Sequence, residues 1–439
     1  MRNRAAALAV CVFTAGPAAT VAAPTPPNIV FIMADDMGFG DLGCYNPQSR
    51  IPTPHMDKLA AGGQRFTDAH TPAAVCTPTR YSVLTGRYCW RRKKSGVLGG
   101  YSPPLIENTR PTIASILKEQ GYSTACIGKW HIGATFHNNK GRQTTNEKDI
   151  DFTGAVTNGP NALGFDYAYW HAGCGTTAPP YGFIENEHFV SKSFSYQKMP
   201  HGDSGMVEEG WVTANADPIL TEKACEFIRK SASANKPFFL YLAPNAPHEP
   251  CVETTVPEFA RGKSEAGHRG DLVWLFDWIV GQVVDTLEAT GQADNTMIIV
   301  TSDNGALPGD YALDKNGRKM RRPGGNWVFE DFGHKSCGDL RGYKAHIWEG
   351  GHRVPLIVRW PCRVKASSVS DEIICLTDFF TTSAAIVGAE LPDDAAEDSV
   401  NILRPVESKL SGHALARGDR ASFQRRCLRD SPRKMEADS

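Results

Sequence analysis

The feature that most constrains the fold is a set of short, continuous apolar runs of strand length. These runs cover residues 28–34, 237–242, 297–301 and 354–360. Between the second and third runs, apolar residues recur at three- and four-residue spacings over 272–287, which predicts an amphipathic helix. Strands that are apolar throughout are buried on both faces, so the alternation of strand and helix predicts an α/β fold with a mixed or parallel sheet covered by helices.

The charge balance excludes some classes of partner. The 439 residues contain 47 Lys and Arg against 48 Asp and Glu, for a formal net charge of −1. No overall basic field therefore exists to attract nucleic acid or anionic lipid, and we expect neither as a partner. With 41% hydrophobic and 22% charged residues, the chain is a folded, enzyme-sized protein rather than a fibrous or disordered one.

The first 23 residues have the pattern of a signal peptide. Arg2 and Arg4 precede an apolar run over 5–13, and small residues end at Ala23. The run is too short to cross a membrane, so we expect cleavage after Ala23 and a soluble secreted or periplasmic protein. A lipoprotein anchored at Cys11 is the weaker alternative, because a small residue is needed where Val10 stands.

The chain contains 12 cysteines, and 11 remain after removal of the expected signal peptide. This odd number predicts at least one unpaired thiol in an oxidising compartment. The spacings show neither a CxxC motif nor a metal-ligand pattern, so a few disulfides mixed with buried thiols are expected, with pairing left open.

Oxygen-bearing side chains follow two of the predicted strands. Asp35 and Asp36 come directly after the first run, while Asp303 and Asn304 follow the third. If these strands are neighbours, three carboxylates converge at one edge of the sheet and require a cation among them. Oxygen ligands favour Ca²⁺ or Mg²⁺ over zinc. The alternative is that each Asp caps a following helix.

The segment Cys76–Arg80 reads CTPTR and is followed by YSVLTGR. It resembles the signature of the formylglycine-dependent sulfatases, a family of the alkaline phosphatase superfamily. A CxPxR pattern alone is common, so the resemblance depends on companion segments in the family's order, namely 28–38, 128–133, 246–248, 294–305, 340–344 and 349–355. It covers most of residues 28–392.

The resemblance implies a modified nucleophile. In this family a formylglycine-generating enzyme oxidises the signature cysteine to formylglycine (3-oxoalanine), whose aldehyde hydrate attacks sulfur. A sulfated thiol has no internal route of release, whereas a geminal diol accepts the sulfuryl group on one oxygen and expels sulfate with the other. Cys76 is the residue that matches.

The resemblance also implies two sets of site residues. The ligands of one Ca²⁺ ion match Asp35, Asp36, Asp303, Asn304 and the modified Cys76. The polar residues around the nucleophile and the sulfate match Arg80, Lys129, His131, His248 and Lys344. By analogy, the two lysines and His248 stabilise or protonate the groups that gain charge, and His131 is the base that triggers sulfate release. The roles of His131 and His248 could be exchanged.

For the domains, the resemblance implies a sulfatase catalytic domain over 24–392, with a large mixed sheet of the alkaline phosphatase-like type. The long segments 135–218 and 304–353 show little strand or helix pattern, and we expect them to be loops that shape substrate binding. The family's small C-terminal antiparallel sheet begins to match at 398–403, but its further strands do not follow. Residues 393–439 are therefore expected to be a truncated remnant with a disordered tail.

Together with the signal-peptide pattern, the resemblance implies an exported, calcium-dependent sulfatase that hydrolyses a carbohydrate or aryl sulfate ester. A phosphomonoester or phosphodiester hydrolase of the same superfamily is one alternative. A non-catalytic protein that binds sulfated glycans is another, if Cys76 is not converted. The sequence leaves the particular substrate and the oligomeric state open.

Overall fold

The computed structural model describes residues 26–92, 96–200, 202–307, 332–361 and 363–403. The expected signal peptide and the expected tail after residue 403 lie outside these ranges.

The centre of the molecule is a ten-stranded mixed sheet, which confirms the predicted fold class. Its strand order is β15-β2-β14-β13-β1-β12-β4-β7-β8-β9. The strands are β1 Asn28–Ala34, β2 Gln64–Phe66, β3 Ala69–His70, β4 Ser123–Lys129, β5 Phe136–His137, β6 Gln143–Thr144, β7 Tyr167–His171, β8 Ile184–Glu185, β9 His188–Phe189, β10 Phe194–Gln197, β11 Gly205–Glu208, β12 Phe238–Ala243, β13 Thr296–Ser302, β14 Leu356–Arg359, β15 Ser368–Ser370 and β16 Ile374–Cys375.

Helices cover both faces of this sheet. They are α1 Pro54–Ala61, α2 Cys76–Thr85, α3 Ile113–Glu119, α4 Ala216–Ser233, α5 Gly267–Ala289, α6 Glu349–His352 and α7 Phe379–Val387. Alternate residues of β1 enter two separate apolar cores: Phe31 joins the core with α2, α3 and α7, and Ile32 joins the core with α1, α4 and α5. Both faces of β1 are therefore buried, as its continuous apolar run predicts.

The five central strands bring the functional edge together. Strands β13, β1, β12, β4 and β7 run parallel, so their carboxyl ends meet at one edge. In this register Ala34 lies beside Ser302, which places the residues that follow β1 next to those that follow β13. Ligands of open α/β sheets collect at this edge.

One expectation about the loops is wrong. Within the described part of 135–218 the chain forms seven strands, β5 to β11, and β7 extends the parallel part of the central sheet. Apart from β7 these strands are two to four residues long, too short to produce a readable alternation. Strand β4 was also not predicted, because Ser123, Thr124 and Gly128 interrupt its apolar character.

Residues 398–403 are held against the main domain and form no strand. The Asp398 carboxylate accepts hydrogen bonds from the Tyr88 backbone N–H (2.8 Å) and from Arg91 Nε (2.7 Å). The backbone N–H of Ile402 donates to Thr382 Oγ1 at 3.0 Å. The expected opening of a C-terminal sheet is therefore not seen here, since these hydrogen bonds attach the segment to the chain just after α2 and to α7.

The described cysteines with free thiols include Cys44, Cys76, Cys126, Cys174, Cys225 and Cys337. The prediction of an unpaired thiol is met by these residues. Among the described residues, none of the helices has the length and apolar character required to cross a membrane.

Candidate functional site

The three carboxylates expected at the strand ends do converge. Asp35, Asp36 and Asp303 are each fully buried, and one oxygen from each lies within 4.8 Å of the others. The Asp36 backbone N–H donates to Asp303 Oδ1 at 3.2 Å, which ties the end of β1 to the end of β13. Neither Asp35 nor Asp303 caps a described helix, so the capping alternative is wrong for this structure.

Two buried oxygens of this cluster are left open. Asp35 Oδ1 and Asn304 Oδ1 are shielded from solvent and have no hydrogen-bond partner. The Asn304 amide is oriented by its Nδ2, which donates to Asp36 Oδ1 at 2.7 Å. Buried oxygens are costly to leave unpaired, and such oxygens are what a hard divalent cation binds. The four residues therefore fit a calcium-type ion.

The charge of the cluster supports the same fit. Burial and the neighbouring Asp35 carboxylate raise the pKa of Asp303 well above its usual range, even though Arg80 Nη2 lies 2.7 Å from its Oδ2. Arg80 alone therefore does not remove the repulsion between these buried carboxylates. A divalent ion bound among their oxygens would relieve this repulsion.

Cys76 and Arg80 reach this cluster from α2. Cys76 is the first residue of the helix and is 3% exposed, and Arg80, one turn later on the same side, is fully buried. Arg80 donates from Nη1 to the Lys129 carbonyl oxygen at 3.0 Å, in addition to its bond to Asp303. The spacing of four residues in the CxPxR motif therefore places the cysteine and the arginine together at the edge of the sheet.

Two lysines place positive charge beside the carboxylates of this cluster. Lys129, the last residue of β4, places Nζ 2.6 Å from Asp35 Oδ2, and Lys344 places Nζ 2.7 Å from Asp36 Oδ2. Although burial opposes the charge, Asp35 raises the pKa of Lys129 and Asp36 raises the pKa of Lys344. Both ammonium groups also lie within electrostatic range of Cys76. They are therefore charged groups beside the candidate nucleophile.

His248 lies between Lys344 and a pair of residues that the sequence did not indicate. Its Nε2 is 3.4 Å from Lys344 Nζ and 3.7 Å from Asp36 Oδ2, and its Nδ1 is 3.4 Å from Cys174 Sγ and 3.2 Å from Thr176 Oγ1. Burial works against protonation, but Cys174 and Asp35 raise the pKa of His248 to about 10. At neutral pH the imidazole is therefore in its protonated, cationic form.

His131 has the opposite character. Its Nε2 donates to the Leu98 carbonyl oxygen at 2.6 Å, and its Nδ1 is buried with no hydrogen-bond partner. Burial and the nearby Lys129 lower the pKa of His131 to about 3. The ring is therefore neutral, with a free lone pair on Nδ1. Its backbone carbonyl accepts from Thr77 Oγ1 at 2.9 Å, which joins it to the residue after Cys76.

All ten residues named from the sequence thus lie at one edge of the sheet. The residues that sequence reasoning missed are Cys174 and Thr176, which contact His248. They come just after β7, so identifying that strand would have pointed to them. Two further buried histidines have other partners: His171 Nδ1 lies 3.3 Å from the Gly182 carbonyl oxygen, and His334 Nε2 lies 2.9 Å from Asp41 Oδ1.

Comparison with known proteins places the chain among sulfatases. A family model described as sulfatase matches residues 27–389. An N-acetylgalactosamine-6-O-sulfatase of Bacteroides thetaiotaomicron is 34% identical, with 87% of this chain and 77% of that protein covered. A steryl-sulfatase of Mus musculus is 33% identical, with 91% and 68% covered. A solved structure from work on glycosaminoglycan metabolism by Bacteroides thetaiotaomicron superposes with a TM-score of 0.74 at 32% identity, with 87% of this chain and 82% of that chain covered.

Proposed function

The chain belongs to the sulfatase family and is a sulfuric ester hydrolase, and from this premise we propose that it cleaves carbohydrate sulfate esters with a formylglycine made from Cys76 and a calcium ion. The main support is the pair of open, buried oxygens, Asp35 Oδ1 and Asn304 Oδ1, beside Cys76 and two lysines. A sugar substrate is proposed because a relative at 34% identity is named for N-acetylgalactosamine-6-O-sulfate cleavage.

The calcium ion would be held by Asp35, Asp36, Asp303 and Asn304, together with the modified side chain of residue 76. When bound, it supplies positive charge that draws a sulfate oxygen and the nucleophile together and favours ionisation of the nucleophile. Arg80 fixes Asp303 in this arrangement through its 2.7 Å ion pair. Because Arg80 is fully buried and held by the Lys129 carbonyl, the carboxylate has little freedom to turn away.

Formylglycine hydrate would supply one oxygen that accepts the sulfuryl group and a second that expels sulfate by re-forming the aldehyde. The position of Cys76 at the first turn of α2 favours an anionic group there, because backbone N–H groups at a helix start carry partial positive charge. Lys129 and Lys344 add full positive charges on two sides. Negative charge grows on the sulfuryl group as the ester bond breaks, so these positive groups bind the transition state more tightly than the substrate.

The two histidines are proposed for opposite proton transfers. His248 holds a proton and donates it to the alcohol oxygen as the ester bond breaks, because its pKa is raised to about 10 despite its burial, chiefly by Cys174 and Asp35. His131 presents an unprotonated Nδ1 and accepts a proton from the second hydroxyl as sulfate leaves. This assignment keeps the roles inferred from the resemblance and gives a reason against exchanging them.

We also propose export of the protein after removal of residues 1–23, on the strength of the signal-peptide pattern alone. Sequencing the amino terminus of the protein recovered outside the cytoplasm tests this proposal. A mature chain that begins at Pro24 is expected, and a chain retained in the cytoplasm with Met1 intact would contradict it.

The mechanism is tested by mass spectrometry of the Cys76 peptide together with a substrate panel. Conversion of Cys76 to formylglycine in active enzyme is expected, with sulfate released from sulfated monosaccharides or glycosaminoglycan fragments faster than from aryl sulfates. Activity should be lost on calcium chelation and return with added Ca²⁺. Unmodified Cys76 in fully active enzyme would overturn the mechanism.

The same panel separates the alternatives. Faster turnover of matched phosphate esters than of sulfate esters would favour the phosphohydrolase. Tight binding of sulfated glycans without release of sulfate would favour the binding protein.

A further inference from the structure

Outside the calcium-type cluster, a second group of metal-ligating side chains lies at the end of β3, where the loop that leads to Cys76 begins. His70 ends β3, and Glu349 and His352 are the first and last residues of α6. His70 Nδ1 and His352 Nδ1 are 3.0 Å apart, and one ligand atom from each of the three residues lies within 4.8 Å of the others. The two rings come from positions 282 residues apart in the chain.

The other nitrogen of each ring has a partner that can only accept. His70 Nε2 lies 2.8 Å from Asp68 Oδ1, and His352 Nε2 lies 3.2 Å from the Ile347 carbonyl oxygen. A carboxylate and a carbonyl have no hydrogen to give, so both Nε2 atoms carry the ring proton. In neutral rings the two Nδ1 atoms are then lone pairs that point at each other across 3.0 Å.

Two facing lone pairs at that distance repel unless a metal ion or a proton lies between them. Two imidazole nitrogens on one tetrahedral zinc ion, at about 2.0–2.1 Å from the metal, lie about 3.3 Å apart. The observed separation is close to this value. The partners on Nε2 are also the kind that orient metal-binding histidines, namely a carboxylate and a backbone carbonyl.

Glu349 supplies the third ligand atom and part of the negative charge. Its Oε2 is 3.1 Å from Arg353 Nη1, which leaves the other carboxylate oxygen available. Arg353 is itself anchored by Nε donating to the Thr67 carbonyl oxygen at 2.9 Å. Arg353 also lies 3.4 Å from Asp68 Oδ1, so Asp68, Glu349 and Arg353 together carry one net negative charge, which favours a divalent cation.

We propose that His70, Glu349 and His352 form a second metal site, which binds a divalent transition ion of the zinc type. Two imidazoles and one carboxylate select such an ion, whereas the all-oxygen cluster at the sheet edge selects calcium. The site has three protein ligands and is partly exposed, so a water completes the coordination.

The metal would join the two segments that flank the reaction centre. The Thr71 backbone N–H donates to the His352 carbonyl at 2.7 Å, and the Ala345 N–H donates to the Ala74 carbonyl at 2.8 Å. An ion bound to His70 and His352 would therefore join β3, which leads into the loop before Cys76, to α6, which follows the loop that carries Lys344. The binding claim does not depend on the proposed catalytic mechanism.

The test is calorimetric titration of the full chain with Zn²⁺ in saturating Ca²⁺, after transition metals are removed with a chelator. One Zn²⁺ ion per chain is expected. His70→Ala and His352→Ala should each weaken its affinity by about 100-fold or more, and Asp68→Asn by about 10–100-fold, since it removes only an orienting partner. His188→Ala, an exposed histidine on β9, is the matched control and should bind Zn²⁺ like the wild type.

His352→Gln serves as a second variant in case the alanine variants fold poorly, and circular dichroism without Zn²⁺ checks the fold of each. Co²⁺ should give the intense visible absorption of a low-coordinate nitrogen site in the wild type and not in His352→Gln. If the wild type binds no Zn²⁺, or binds it as tightly as the folded His70 and His352 variants, the proposal is wrong. The close approach of the rings would then reflect a proton shared by the two Nδ1 atoms.

Discussion

Two buried clusters near the end of β1 pair carboxylates with cations, and they differ in whether every side-chain oxygen has a hydrogen-bond partner in the chain. In the first, which we call the Asp41 cluster, Asp41 is paired with Arg269 and His334. Its Oδ1 accepts from Arg269 Nη1 and His334 Nε2, both at 2.9 Å, and its Oδ2 accepts from Arg269 Nη2 and the Gly38 N–H, both at 2.7 Å. Every oxygen of this carboxylate is satisfied by the chain itself.

In the second cluster, at the sheet edge, Asp35 Oδ1 and Asn304 Oδ1 have no hydrogen-bond partner. Both clusters are buried and both contain cations, so neither burial nor charge marks the functional one. The difference lies in the ligand atoms that the fold leaves open. We therefore expect changes in the Asp41 cluster to affect stability first, and changes at the sheet edge to affect turnover first.

The largest expected effect is the loss of activity caused by Cys76→Ala at the sheet edge. Removal of the nucleophile should lower kcat/KM by about 10⁴-fold or more, while the unfolding midpoint stays near that of the wild type. Cys44→Ala, which removes a free thiol away from the site, is the control and should keep full activity. Substantial residual turnover by Cys76→Ala would move the reaction away from this residue.

Asp41→Asn should produce the next largest effect, this time on folding. Breaking a buried ion pair leaves Arg269 uncompensated and costs about 3–5 kcal/mol in the free energy of unfolding. Urea denaturation measures this loss, with Asp371→Asn on the exposed surface as the control. A loss of activity without any loss of stability would show that the Asp41 cluster is functional and would remove the distinction.

Lys344→Ala tests the sheet edge with a smaller expected effect. Loss of one cation that stabilises the transition state should cost about 2–4 kcal/mol of activation free energy, or about 30- to 1,000-fold in kcat. Steady-state kinetics at saturating Ca²⁺ measure this change, and Lys58→Ala on the surface is the control. An unchanged kcat would show that Lys344 has only a structural role.

The smallest effect concerns a buried carboxylate with no cation. Asp277 accepts only the backbone N–H groups of His55 (3.1 Å) and Met56 (2.7 Å), and burial raises the pKa of Asp277 to about 7. An acid with a raised folded-state pKa binds more protons folded than unfolded, so its contribution to stability is full below about pH 4 and is lost as pH rises to about 7. At Asp41 the effect of burial is outweighed by Arg269, which lowers the pKa. The contribution of Asp41 to stability is therefore full above about pH 4 and is lost as the pH falls below that value.

The measurement is the free energy of unfolding of the wild type and of Asp277→Asn between pH 5 and pH 7. The wild type should lose about 2 kcal/mol relative to the variant over this range, because the amide introduced by the substitution cannot ionise. Parallel curves for the two proteins would mean that Asp277 does not titrate in this range.

The strand ends were predictable because a buried strand has a continuous apolar run, and the residue that follows such a run is identified at once. Asp35, Asp36, Asp303 and Asn304 were found in this way. Lys129, His131 and His248 were found only through the family resemblance, because a single lysine or histidine has no periodic signal. Cys174 was missed because β7, which positions it, was interpreted as loop.

The sequence by itself determined the alternation of strands and helices, the acidic strand ends and the four-residue spacing of Cys76 and Arg80, because these depend on local periodicity and on residues close in the chain. The tertiary structure alone decided which strands are neighbours, and hence which oxygens are left open. It also decided the opposite protonation of His131 and His248 and the meeting of His70 with His352. These properties arise from contacts between residues far apart in the chain. The local sequence around one residue does not identify its distant partner.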